Sequence, residues 1–389
     1  MLGLWDSVGP PPPVVIDPPF LPSGSDVADM KLLWFFTNYT CSSFSVEGGA
    51  VRPVENVLRN DVVRMSLQAP FLRHTLLALA GLHQQTLHVD FDLCRALQHR
   101  ANAFHDFRMA FESPRADMSD MFPAMLINSL LLTALTSQSF REWDSQDLYI
   151  INWMIIWRGI RIILDRIDKP TLANSGLQAL FYRPLVDLKQ AVVEIPANLL
   201  RMLHEIEVGE DDYPDAKIYF KTLKYLGSLY HHLRHRGFGA IMRLRIITWF
   251  TFLPGRFIDL ARDKRPRALV IVAHYAAFLK LMGEVWWLKR VGDRALYDLC
   301  RFIDPKFFNL LQMPRAAQAM TDELSVARVI LNDAEWVSRV PAGHHWDEQQ
   351  ESETRRLTWV NNEGREATLK EEGAVEDLEP VTTVPYPDV

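Results

Sequence analysis

Apolar side chains recur every three or four residues over most of this chain, the period of α-helices that pack on one face. Pro70 suits the first turn of a helix, where its missing N–H would have no intrahelical partner. Behind it Leu72, Leu76, Leu79 and His83 share one face, with Leu77 and Ala80 beside them. Leu93, Leu97, Ala101, Phe104 and Phe107 repeat the spacing. Leu148, Ile151, Ile155, Ile162 and Ile163 define a third helix, which Asp144 or Ser145 can cap. Lys169-Pro170 stops it, because the residue before proline is biased away from helical backbone. Further helices are predicted over residues 197–206, 215–235, 240–250, 266–289 and 293–302. Residues 122–140 are strongly apolar, but Asn128, Ser129, Thr133, Thr136, Ser137 and Gln138 interrupt them. They fall short of the ~20 uninterrupted apolar residues of a membrane span, so a buried core helix is expected. No alternating strand pattern is bounded by hairpin turns, and no strands alternate with helices. The pattern predicts an all-α fold in a single multi-helix domain.

Composition sets the limits of that domain. A leader over residues 1–27 is held extended and disordered by Pro10 to Pro13, Pro18, Pro19 and Pro22. It lacks the basic-then-apolar order of a signal peptide. The helical body is expected over residues 28–335. Residues 347–389 hold twelve acidic and four basic side chains, a net of −8, so the rest of a chain of net charge −6 carries +2. A tail over residues 336–389 is therefore expected to be acidic and flexible, either solvated or a partner-binding segment. With 48% hydrophobic and 23% charged residues, the body has the balance of a globular protein. The negative total argues against general nucleic-acid binding, which needs clustered lysine and arginine.

The motifs of common chemistries are missing. Cys41, Cys94 and Cys300 are too few and too scattered for a zinc cluster. They are expected to be buried free thiols, at home in a reducing cytosol or nucleus. His231 and His235 share a helical face, but the glutamate of an H-E-x-x-H zinc motif is absent, and Arg234 and Arg236 flank them. They read as solvated or capping residues, with no metal expected. His74 and His83 sit among leucines as core histidines, and His344-His345 belongs to the tail. No G-x-S-x-G elbow or glycine-rich phosphate cradle occurs, so no cofactor is expected. Glu142 and Asp144 fit helix capping, and Glu210-Asp211-Asp212 reads as a solvated turn.

The aromatic content changes the picture. The chain has 11 tryptophans. Trp153 and Trp157 lie four residues apart, with Arg158, Ile160 and Leu164 close by. Trp286 and Trp287 follow a stretch holding His274, Tyr275, Phe278 and Met282, and Trp249, Phe250 and Phe252 form another group. Aromatics with a few polar handles are what an apolar ligand pocket needs. They are also what fills a large helical core.

Three segments carry a family resemblance. Residues 70–83 (PFLRHTLLALAGLH) resemble the first helix of a fungal domain family. Trp157-Arg158-Gly159-Ile160 resembles its W-x-R-G-I-like segment. Residues 268–275 (ALVIVAHY) followed by Trp286-Trp287 resemble its late segment. The family is the C-terminal ligand-binding regulatory domain of sterol-uptake-control-type zinc-cluster transcription factors, and the resemblance spans residues 29–315. It implies an all-α domain with an apolar central pocket that binds a sterol-like molecule and controls transcription. Trp153, Trp157, Arg158, Phe278, Met282, Trp286 and Trp287 are then the candidate ligand-binding residues.

The family's six-cysteine zinc cluster has no counterpart in the leader. Direct DNA binding is not expected, and a zinc-cluster transcription factor is the expected protein partner, in the nucleus or cytoplasm. A second reading keeps the pocket but makes it catalytic. A cofactor-free cyclase, isomerase or Diels–Alder-type pericyclase would fold a terpenoid or polyketide, with His274 and Tyr275 as the polar groups. A scaffold without ligand is the third.

Overall fold

The predicted helical period is realised nearly everywhere it occurs. The computed structural model describes residues 26–44, 53–88, 92–112, 118–141, 148–165, 175–177, 180, 186, 188–338, 357–360, 366–369 and 375–377. The expectations for residues 1–25, for Glu142, Asp144 and Ser145, for Lys169-Pro170 and for His344-His345 lie outside these.

Helix α1 (Val27–Phe35) is opened by Asp26, whose carboxylate accepts the backbone N–H groups of Ala28 and Asp29 at 3.0 and 3.3 Å. It runs on through a π turn (Phe36–Thr40) and a 3-10 turn (Cys41–Phe44). Short α2 (Pro53–Asn56) and α3 (Val63–Ser66) flank a second π turn. Helix α4 (Pro70–Thr86) begins at the predicted proline and packs along α5 (Leu93–Glu112). Helix α6 (Met118–Thr136) continues as a 3-10 turn to Arg141 and packs on α7 (Tyr149–Asp165).

The second half comprises α8 (Leu188–Val193), α9 (Ala197–His204), α10 (Ala216–Arg236), α11 (Ala240–Thr248), α12 (Gly255–Arg262), α13 (Pro266–Leu279), α14 (Val291–Phe302), α15 (Gln312–Ala319) and α16 (Glu323–Leu331). Helix α13 is the centre of this half. Every residue from Ala268 to Leu279 is buried, and α10, α12, α14, α15 and α16 all touch it. Val270, Ile271 and Val272 are poor helix formers, so tertiary packing rather than propensity holds this segment.

The apolar stretch Met121–Arg141 is, among the described residues, the segment long and apolar enough to cross a membrane. It is 78% buried inside the protein, as expected of a core helix. Most of its polar residues find partners, although the buried amide nitrogen of Asn128 has none among the described residues. The hydroxyls of Ser129 and Thr133 donate to the Met125 and Leu130 carbonyls, and Asn128 accepts from Thr75 at 2.7 Å.

Four expectations change. The helix predicted over 266–289 ends at Leu279 and gives way to a 3-10 turn and bends. The chain turns there so that α14 can return onto α13. A Cβ on Gly292 would stand 2.5 Å from the Lys280 backbone nitrogen, so the return is closer than any side chain permits. Cys94 is exposed, while Cys41 is buried and Cys300 half-buried. In α5 the inward phase belongs to Ala96, His99 and Ala103, which leaves Cys94 outside together with Leu93, Leu97 and Ala101 of the predicted apolar face. Asp212 is buried rather than solvated: Tyr219, Arg265 and Arg267 all donate to it at 2.8 to 2.9 Å. Finally, three short strands, β1 (Leu357–Val360), β2 (Glu366–Leu369) and β3 (Val375–Asp377), form an antiparallel meander within the acidic segment. Strand β1 lies beside the 3-10 turn Trp249–Phe252 that follows α11.

Candidate functional site

Helix α7 carries Trp153 and Trp157 one turn apart, and both are buried. Their rings meet edge to face at 6.1 Å. Phe250 fits between them and Tyr275 of α13, with centroids 5.2 Å from Trp153, 6.4 Å from Trp157 and 4.7 Å from Tyr275. Trp249 stacks on Tyr275 at 4.1 Å with the planes 13° apart. The helical period places the tryptophans of α7 on one face, and the 3-10 turn after α11 brings two further aromatics to meet them. One aromatic layer therefore joins α7, that turn and α13.

Its polar atoms divide into two groups. The Trp153 indole N–H donates to the Thr133 carbonyl at 2.8 Å, and the Tyr275 hydroxyl donates to the Ile246 carbonyl at 2.7 Å. The indole nitrogens of Trp157 and Trp249 are fully buried and have no acceptor among the described residues. A buried donor without a partner costs about 1–3 kcal/mol, so such groups are uncommon in folded proteins. Two in one aromatic layer are donors to which an oxygen of a bound molecule would be complementary.

Trp286 and Trp287 belong to a different layer. Trp286 stacks on His83 at 4.7 Å and donates to the Ser43 hydroxyl at 2.9 Å. Trp287 packs against Phe44 at 6.0 Å, and its indole N–H is a third buried donor without an acceptor among the described residues. His83 faces Thr40 at 3.1 Å, and burial pushes its imidazole down to about 4, so it is neutral. Helix α6 links the layers. Its Thr133 carbonyl receives Trp153, and one turn on the Ser137 hydroxyl donates to the Trp287 carbonyl.

The other candidates are placed as follows. His274 donates from Nε2 to the Leu310 carbonyl at 2.9 Å and accepts the Tyr230 hydroxyl at Nδ1 at 3.0 Å. Both ring nitrogens are therefore occupied. Burial pushes His274 down to about 4 and pushes Tyr230 and Tyr275 up. Phe278 meets Tyr230 edge to face at 5.0 Å, and Met282 is buried nearby in sequence. Arg158 turns to an ion pair with Asp259 of α12 at 2.7 Å. The structure thus brings Trp153 and Trp157 together with Tyr275. It places Trp286 and Trp287 with His83, Phe278 with His274 and Tyr230, and Arg158 with Asp259. Trp249 is the residue that helical spacing leaves off the candidate set. It stands in a 3-10 turn, and only its place beside Phe250 and Phe252 in the sequence marks it.

Helices α1 to α7, with Trp153 and Trp157, form the first half of this arrangement. Residues 31–182 match the fungal specific transcription factor domain. The resemblance read from the sequence is therefore borne out. The chain is 24% identical over 296 residues to the Sterol uptake control protein 2 of Candida albicans, covering 70% of this chain and 40% of that protein. It is 22% identical over 284 residues to a Zn(2)-C6 fungal-type transcription factor of Aspergillus fumigatus, covering 68% and 72% respectively. A Zn(2)-C6 fungal-type transcription factor of Gibberella zeae is 35% identical over a shorter stretch of 82 residues, covering 21% of this chain and 16% of that protein. The chain thus spans less than half the length of the Candida and Gibberella relatives. Two of these relatives are named as transcription factors and the matched domain is a transcription factor domain, which supports a regulatory role for the helical body.

Proposed function

We propose that the helical body binds a lipophilic small molecule, a sterol or a terpenoid- or polyketide-like compound, and passes its presence to a transcriptional partner in the nucleus. The observation that carries the ligand is the pair of buried indole donors, Trp157 and Trp249, in a layer otherwise made of aromatic faces. An apolar skeleton would satisfy the faces, and a hydroxyl or carbonyl would satisfy the donors. The name of the Candida relative associates that protein with sterol uptake, which favours a sterol among such skeletons.

The test is a titration of the full chain with ergosterol, followed by tryptophan fluorescence, with hexadecane as an oxygen-free control. Saturable quenching by ergosterol is expected. Trp157→Phe and Trp249→Phe keep a ring and remove the N–H, and each should weaken binding about fivefold, the equivalent of about 1 kcal/mol. Equal affinity of both variants and the parent chain would remove the donors from the site, and absence of saturation would sink the ligand. The regulatory half predicts nuclear accumulation and co-purification with a zinc-cluster factor. Unchanged transcript levels after gene deletion would count against it.

The catalytic alternative gains nothing from its two named residues. Both nitrogens of His274 and the O–H of Tyr275 are committed to protein partners, so neither offers a free polar group to a reacting substrate.

A further inference from the structure

The last two turns of α10 hold an arrangement that neither the family nor the aromatic layers require. His231 and His235 stand one turn apart, with ring centroids 4.5 Å from each other. The sequence offers no acidic residue between them, but the fold brings one from elsewhere. Glu194, in the turn that ends α8, places Oε1 2.9 Å from His235 Nε2. One ligand atom from each of Glu194, His231 and His235 falls within 4.8 Å of the other two. We propose that these three residues form a site for a zinc-class divalent cation, which clips the turn after α8 to the C-terminal turn of α10.

Four observations support the site. Two imidazoles and one carboxylate are a donor set that zinc and its neighbours accept, with a fourth position left to water. Metal–ligand bonds of about 2.0–2.2 Å put tetrahedral ligand atoms about 3.4 Å apart, so small side-chain rotations close this set on an ion. The carboxylate is already held from behind: Arg234 donates from Nε to Glu194 Oε2 at 2.9 Å, and its NH2 group reaches the Leu331 carbonyl at 3.1 Å. Such a partner fixes a ligand's orientation. Lastly, the ion would sit at the C-terminal end of a 21-residue helix, where the aligned peptide dipoles favour positive charge. That field opposes the repulsion from Arg234, whose own charge is engaged by the Glu194 oxygen that faces away from His235.

The two segments joined are already in tight contact. A Cβ on Gly227 of α10 would lie 2.3 Å from the Ala191 carbonyl of α8. A metal at the end of this contact would lock the six-residue α8 against α10.

The full chain should be titrated with Co2+, whose visible absorption reports a low-symmetry nitrogen and oxygen environment, and then with Zn2+. One saturable Co2+ per chain, displaced by Zn2+, is the expected result. Glu194→Gln, His231→Asn and His235→Asn should each weaken binding by at least about 10-fold, the lower end of what even indirect partners of a metal contribute. His105→Asn, an exposed histidine on α5, should leave it unchanged. Zn2+ should also raise the melting temperature of the parent chain but not of His235→Asn. His235 is exposed, so that variant keeps the fold and decides the matter even if the others do not. No saturable Co2+ spectrum, or the same affinity in His235→Asn as in the parent chain, would overturn the proposal.

Discussion

Asp212 shows how much a single buried charge can organise. Its carboxylate accepts from the Tyr219 hydroxyl and from the guanidinium groups of Arg265 and Arg267, and so ties the turn before α10 to the start of α13. Burial alone would raise its pKa, but these hydrogen bonds outweigh it and hold the carboxyl below its ordinary value. Removing one partner of a buried pair leaves the other uncompensated. Asp212→Ala should therefore lower the unfolding free energy by about 3 kcal/mol in a urea titration, a value at the low end because Arg265 is partly exposed. The sign with pH follows from the lowered pKa. The contribution is complete above the ordinary carboxylate pKa of about 4 and is lost as the pH falls through the lower folded value. The sequence places this residue in an acidic, hydrophilic run, and nothing in that run distinguishes it from Asp211, which remains exposed. The two indole donors were partly legible at this scale. The spacing of Trp153 and Trp157 announces a shared face, but which of the two lacks an acceptor depends on where the Thr133 carbonyl lies.

Among the elements, helix α7 and helix α10 carry glycines with opposite consequences. Gly159 has no atom within 4 Å of the position its Cβ would take. Gly159→Ala should stabilise the protein by about 0.5–1 kcal/mol, because alanine loses less backbone freedom in a helix. Gly227 has the Ala191 carbonyl at 2.3 Å and Ile195 at 2.8 Å, so Gly227→Ala forces α8 and α10 apart. A loss of about 1–3 kcal/mol is expected, as in other overpacked contacts. The pair is checked by the shift of the thermal midpoint in each variant, and two shifts of the same sign would refute the packing argument. Both glycines sit inside a helical apolar pattern, so the sequence treats them alike. The periodicity also found the starts of α4 and α13, because Pro70 and Pro266 mark them chemically. It overran the end of α13, because the apolar character continues through Trp286 and Trp287 while the backbone has already turned.

At the scale of the whole molecule, the interior holds imidazoles in their neutral form. His83 and His274 are both pushed down to about 4 by burial, well below the ordinary histidine value of about 6.5. Between those values the unfolded chain binds protons that the folded chain does not, so stability is complete above about 6.5 and falls toward about 4. Each histidine contributes on the order of 3 kcal/mol to that fall. The urea midpoint should drop steeply from pH 7 to pH 5, and His83→Gln should flatten the slope. An unchanged slope would mean that His83 is not held neutral. The sequence determined the all-α class, most helix positions, the core character of residues 122–140 and the aromatic supply, because each is written in local spacing and side-chain type. Only the tertiary structure decided that the tryptophans form two layers, that Asp212 is a buried hub, and that Glu194 meets His231 and His235. Those facts join residues distant in sequence, and a helical period says which face a side chain occupies, not what the fold brings to meet it.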